Sequence, residues 1–227
     1  MVPRRPFFFY ALGYRRNPFG ALTDEEWAEV AVLPSEVTAV IRSPFTHLQL
    51  LGPQGSGKST CLLKLTHQFR EQGLQVAYEY LPVGQREYHT ETVGLDVFLL
   101  DEAQRLRWGE RRRLLREAGR LRLVLGSHAD WRRHFARRGV SIHTVTLGDS
   151  LTADTLHTLL ARRLDYFALP GVERVMLAAD AVAFLLDTFG GDLRKMEYFL
   201  YEVWQQQDRV TTITADWLRH LYRAHLG

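Results

Sequence analysis

Gly52-Pro53-Gln54-Gly55-Ser56-Gly57-Lys58-Ser59 is the stretch that decides the fold. It fits G-x-x-x-x-G-K-[ST] at every fixed position, and each residue type in that spacing answers to a chain of phosphates. The glycines let the backbone curl so that successive N–H groups point inward, and a helix starting at Lys58 adds the positive end of its dipole. Lys58 supplies a point charge for β- and γ-phosphates, and Ser59 a hydroxyl for Mg2+. Pro53, Gln54 and Ser56 fill the variable positions and Thr60 follows, so residues 52–60 form the expected cradle. The flanks agree with this reading. His47-Leu48-Gln49-Leu50-Leu51 is a short apolar run that reads as a strand, and Lys58 to about Glu71 carries Leu62, Leu63, Leu65 and Phe69 at helical spacing.

Working outward, Gln75 to Leu81, Val97 to Leu100, Leu121 to Leu125 and Ile142 to Leu147 read as four more strands separated by helical segments. That alternation predicts βαβ crossovers and hence an α/β fold, a P-loop core with a parallel five-stranded sheet. Asp101-Glu102 closes the third strand, where an acid at the carboxyl edge of a parallel strand can help hold Mg2+. The second carboxylate suits a general base acting on a water molecule, which favours hydrolysis over phosphotransfer. Only about Pro82 to Asp96 remains between the second and third strands, and it reads as a loop or a stub.

Residues 1–34 read as a lead-in rich in aromatics, Pro and Gly, with a short helix starting at Thr23-Asp24-Glu25-Glu26, and 35–149 as the α/β core. From about 150 to 227 the pattern is helices only, a small all-helical lid. Its leucine stripe is Leu156, Leu159, Leu160 and Leu164, with Arg162 and Arg163 on another face. Asp180, Asp192 and Thr214 are expected as helix caps, of helices running through Leu186, through Trp204 and to about His225.

Composition sets the outer limits. With 227 residues, 46% hydrophobic and 24% charged, the chain can bury a sizeable core and is no disordered or collagen-like polymer. No apolar run approaches the length of a membrane span. Arg4-Arg5 and the apolar stretch behind them only crudely imitate a secretion signal, so the cytoplasm is expected. A lone Cys61 excludes an internal disulfide framework and suits simple packing. His47 and His143, on strands, read as satisfied polar groups rather than ligands.

The residues 52–60, the run Phe98-Leu99-Leu100-Asp101-Glu102-Ala103-Gln104 and the helical lid together resemble an AAA+ ATPase. The flavour is similar to the bacterial ExeA-like ATPases and TniB-like transposition regulators, which carry a short motif like Asn17-Pro18-Phe19 ahead of the phosphate loop. The resemblance implies ATP and Mg2+ as ligands, with Asp101 on the metal and Glu102 as the base. It implies a polar sensor after the fourth strand, Ser127 or His128 with Ser127 favoured by position, and a nucleotide-sensing Arg194 in Gly190-Gly191-Asp192-Leu193-Arg194. It also implies an arginine acting in trans within a homo-oligomer. Arg132, Arg133, Arg137 and Arg138 are near enough, and Arg137 or Arg138 is favoured.

The charge distribution raises the question of a DNA partner. Between Arg105 and Arg138 twelve Arg stand against Glu110, Glu117 and Asp130, a local +9 in a chain of net +3. On a helix from Glu110 to Arg120, Arg112, Arg116 and Arg120 would form a row able to neutralise phosphates of double-stranded DNA, with Arg105 and Arg113 extending it. The competing reading is a solvated face whose arginines follow codon usage, since 26 of the 29 basic residues are Arg. The expected function is an ATP-hydrolysing module that assembles with nucleotide and regulates or remodels a partner on DNA. A nucleotide-gated signalling or defence switch is the alternative, and a phosphotransferase a third.

Overall fold

The first helix, α1 (Asp24–Val30), starts where side chains satisfy its free N–H groups. Thr23 Oγ1 accepts from Glu26 N–H at 3.2 Å, and the Glu26 carboxylate accepts from Thr23 N–H at 3.0 Å, a reciprocal cap. The structure, a computed structural model, describes residues 8–43, 46–148 and 151–226. Arg4-Arg5 and the expected division at Asp149 lie outside those residues. The chain forms two compact units, one spanning Ala31–Ser150 and the other joining Met1–Val30 to Leu151–Gly227.

The first of these units runs α2 (Ser35–Ile41), β1 (His47–Leu51), α3 (Lys58–Glu71), β2 (Val76–Tyr80) and β3 (Val97–Asp101). It continues with α4 (Trp108–Glu117), β4 (Arg122–Ser127), α5 (Arg132–Ala136) and β5 (Ile142–Thr146). The strands form one five-stranded sheet in the order β2-β3-β4-β1-β5, every pairing parallel. Strands covered on both faces must be apolar at consecutive positions, which is why β3 and β4 read as runs rather than alternating patterns. Phe98, Leu100, Leu123 and Leu125 point into one apolar layer with Leu114, Trp131 and Phe135. Val97, Leu99 and Val124 point into the other, with Leu48, Leu62, Leu65 and Phe69. Cys61 is buried in this second layer, where burial pushes its thiol up to about 12.

Pro82 to Asp96 holds no helix or strand, as expected. Glu79, on β2, gathers this loop by accepting from His89 N–H at 2.9 Å, Thr90 N–H at 2.8 Å and Thr90 Oγ1 at 2.6 Å. One expected helix is shorter than the sequence suggested. Instead of Glu110 to Arg120, α4 covers Trp108–Glu117, because the chain turns at Ala118 and Gly119 and both Arg120 and Leu121 N–H return to the Glu117 carbonyl. Arg120 therefore lies beyond the helix, paired with Glu117.

In the second unit α1 is followed by α6 (Ala153–Phe167), β6 (Met176–Leu177), α7 (Ala179–Phe189), α8 (Leu193–Gln206), β7 (Thr212–Ile213) and α9 (Ala215–Leu226). The all-helical expectation needs one correction, since β6 and β7 pair in parallel over two residues each. Asp192 caps α8 by accepting from Lys195 N–H, as expected. Asp180 does not cap α7; it sits inside the first turn, and its carboxylate accepts from Ala215 N–H at the start of α9. Leu12, Tyr14 and Phe19 join Leu156, Leu160, Leu164, Leu200 and Trp204 in a single core. Asn17 folds its own turn by accepting from Phe19 N–H at 2.9 Å, and donates to the Tyr201 carbonyl at 3.0 Å. Arg163 is buried among these residues, donating to the Pro18 and Gly20 carbonyls and pairing with Glu197. No helix among the described residues is long and apolar enough to cross a membrane.

Candidate functional site

The phosphate loop leaves β1 at Leu51 and enters α3 at Lys58. Gly57 holds φ 89°, a left-handed backbone that a side-chain-bearing residue rarely adopts, and it turns the chain into the helix. The first-turn N–H groups of α3 have no intrahelical acceptors, as at any helix start, and face the loop. Ser56 is buried with its Oγ lacking a hydrogen-bond partner. A buried, unpaired hydroxyl costs about 1–3 kcal/mol, so the loop carries an unmet polar demand that a phosphate oxygen fits. Lys58, also buried, donates from Nζ to the Gly52 carbonyl at 2.8 Å and the Pro53 carbonyl at 2.7 Å.

β4 separates β1 from β3, so the loop after β1 and the acids ending β3 open at the same carboxyl edge, one strand apart. The Ser59 hydroxyl is hydrogen-bonded to the Asp101 carboxylate. Asp101 is fully buried; burial raises its pKa, while the bonds from Ser59 and from Glu102 N–H oppose the rise. Gly126, on β4, makes room for that carboxylate. A Cβ at this position would stand 2.4 Å from Asp101 Oδ1 and 2.8 Å from Leu62 Cδ1.

Glu102 is the one non-glycine residue with positive φ among those described, at 59°. Its left-handed turn bends the chain away from β3 as soon as the strand ends. Its Oε2 accepts from Gln104 Nε2 at 2.8 Å and lies 2.9 Å from the Arg105 guanidinium. His128 Nε2 stands 3.5 Å from Oε1, and Gln104 Oε1 accepts from His128 N–H at 3.2 Å. The Ser127 hydroxyl is engaged elsewhere, donating to the Ala129 carbonyl and accepting from Ala129 N–H and the Trp131 indole. Of the two sensor candidates, the one beside the acid is His128. Gln104 and Arg105 are the contacts that sequence reasoning left without a role at this site, although Gln104 stood in the quoted Asp-Glu-Ala-Gln run. Gln49, buried on β1, braces the neighbourhood by accepting from Trp131 N–H and donating to Asp130 and Thr144.

Arg137 and Arg138 are exposed, just past α5. Arg194 is exposed on the first turn of α8, in the other unit; burial raises the Glu197 carboxyl's pKa, and Arg163 and then Arg194 oppose the rise. The basic stretch is not one surface. Arg122 is buried, donating to the Val40, Ile41 and Thr46 carbonyls. Arg111 donates to the Gln104 and Leu106 carbonyls, and Arg132 pairs with Asp130. His47 and His143 both have protein partners, Leu123 N–H and Glu36.

Solved structures of other proteins resemble this fold. A Thermotoga maritima RuvB variant superimposes with a TM-score of 0.59 at 15% identity, over 86% of this chain and 70% of that one. The replication initiator DnaA bound to AMPPCP and single-stranded DNA gives 0.59 at 16%, over 89% and 70%. AMPPCP-bound DnaA from Aquifex aeolicus gives 0.56 at 15%, over 82% and 66%. The shared fold is a P-loop core, a parallel five-stranded sheet flanked by helices, with a helical C-terminal region. No protein-family model matches the sequence, and no curated protein matches it. At these identities the likeness is one of fold.

Proposed function

We propose that the chain is an AAA+ module that binds and hydrolyses ATP, assembles with copies of itself, and regulates or remodels a partner on DNA. One observation carries the reading: the phosphate loop after β1, with Ser56 and Lys58 buried in it, and the acids Asp101 and Glu102 at the end of β3 open at the same carboxyl edge of the sheet. Lys58 exchanges its two loop carbonyls for β- and γ-phosphate oxygens. Ser59 and Asp101 would hold Mg2+, which supplies charge neutralisation on those oxygens when bound. Glu102 accepts a proton from the water whose oxygen bonds to the γ-phosphorus as the bond to the β–γ bridging oxygen breaks. His128, beside Glu102, takes the sensor place in preference to Ser127. Arg194 reports the γ-phosphate from the helical unit, and Arg137 or Arg138 completes a neighbouring copy's site. The DnaA structure of like fold holds a nucleotide analogue together with single-stranded DNA, which supports a nucleic-acid partner.

The nucleotide-gated switch keeps one specific support. Glu102 already accepts from Gln104 and lies beside Arg105 and His128, and a base so engaged turns over slowly.

Lys58→Ala is expected to abolish ATP binding in an equilibrium titration. Glu102→Gln should bind ATP like the parent and release phosphate at least about a hundredfold more slowly, since general-base catalysis contributes about 10²–10⁴. Parent-rate hydrolysis by Glu102→Gln would remove Glu102 as the base. Specific activity that stays flat as protein concentration rises would count against action between subunits.

A further inference from the structure

The sequence suggested a row of three arginines on α4, but the helix closes at Glu117 and leaves Arg120 outside it. The row formed at i, i+4, i+8 on α4 is Trp108, Arg112 and Arg116. All three are exposed, Trp108 to 71%, which is unusual for the largest apolar side chain. The Arg112 guanidinium lies 4.5 Å from the Trp108 ring centroid and covers part of the ring, while the high exposure leaves the rest open to solvent. The exposed residues of α4 are Trp108, Gly109, Arg112, Arg113 and Arg116, with no acid among them. Glu110 is buried against Arg113, and Glu117 is half-buried against Arg120.

We infer that this face binds single-stranded nucleic acid, with Trp108 stacking on an unpaired base and Arg112 and Arg116 on the flanking phosphates. The inference rests on the nucleic-acid part of the proposed function and narrows it from duplex to single strand. A duplex stacks its bases on one another and offers an aromatic platform nothing, whereas an unpaired base has a free face. Two arginines on one helix cannot match the phosphate contacts that hold a duplex binder, but they suffice beside a stacking anchor.

The test is fluorescence anisotropy of the full chain with a labelled thymidine oligonucleotide and with a random-sequence duplex of equal length. Both are titrated across salt with an ATP analogue present. The single strand should bind more tightly than the duplex. Trp108→Ala should weaken single-strand binding by about fivefold to a hundredfold, and Trp108→Phe should restore most of it. Arg112→Ala and Arg116→Ala should each flatten the slope of log K against log salt by about 0.7. ATP hydrolysis without nucleic acid should equal the parent's in Trp108→Ala, which separates this inference from the ATPase reading. Duplex binding with no effect of Trp108→Ala on the single strand would overturn the inference and leave the broader DNA reading standing. No binding of either form at low salt would overturn both. Sedimentation showing that Trp108→Ala breaks self-assembly in the absence of nucleic acid would reassign the face to a second copy of the chain.

Discussion

Gly126 stands where the sheet and its acid meet, and nothing larger fits there. Its absent side chain is the space that the Asp101 carboxylate occupies, with Leu62 closing the other side. Gly126→Ala would place a methyl carbon at 2.4 Å from Asp101 Oδ1, inside any allowed contact. The carboxylate must move, and overpacking of this kind costs about 1–3 kcal/mol. The variant should melt at lower temperature and gain less stabilisation from Mg-ATP than the parent does. Melting and ATP response both equal to the parent's would show that Asp101 has other room. The phosphate loop was legible in the sequence because its residues are neighbours in the chain. Gly126 was not, because its role depends on which strand lies beside β3, a pairing that no local pattern encodes. The same holds for His128, whose proximity to Glu102 is set by the reach of Gln104 across two strand ends.

Among the elements, β1 carries a built-in sensitivity to acid. His47, at its start, is buried; its Nδ1 accepts from Leu123 N–H at 3.0 Å, and the ring also meets the Ala118 backbone. Burial holds its pKa below the ordinary 6.5. The folded state therefore favours the neutral ring, while the unfolded chain takes up a proton near that ordinary value. The contribution is fully present above about pH 6.5 and is lost as the pH falls toward the lowered folded value. His47→Asn keeps an acceptor for Leu123 N–H without the titration. Denaturant midpoints at about pH 8 and about pH 5 should differ less in the variant than in the parent; equal differences would clear His47 of any part in the acid sensitivity. Elements with a sustained apolar signal were readable, β3 and β4 as unbroken runs and α3 by its helical period. The end of α4 was not, because Ala118 is a good helix former and the turn shows only in the Glu117 carbonyl accepting from both Arg120 and Leu121 N–H. The two-residue β6 and β7 have no period at all.

At the scale of the whole molecule, the helical unit depends on residues far from it in sequence. Phe19 lies 4.9 Å from Trp204 in an edge-on ring contact and under the Arg163 guanidinium, and Tyr14 OH donates to the Val175 carbonyl. Phe19→Ala removes an aromatic anchor from that core at about 3–5 kcal/mol. Limited proteolysis of the variant should cut preferentially within 151–226 and spare 31–148. Cleavage spread evenly over both would mean that the units do not unfold separately. The Asn-Pro-Phe motif was visible in the sequence, but its anchoring required Arg163, which read as a charged face and is instead a buried donor to the Pro18 carbonyl. The division of the chain also has a consequence for its synthesis. In chain order the α/β unit interrupts the helical one, whose core draws on residues both before and after it. On the ribosome, Leu12, Tyr14 and Phe19 emerge ahead of the α/β unit, and their core partners on α6 and α8 emerge after it. The unit that is second to begin is thus the first able to finish, and the apolar segment ahead of it waits uncovered until residues 151–226 have been made.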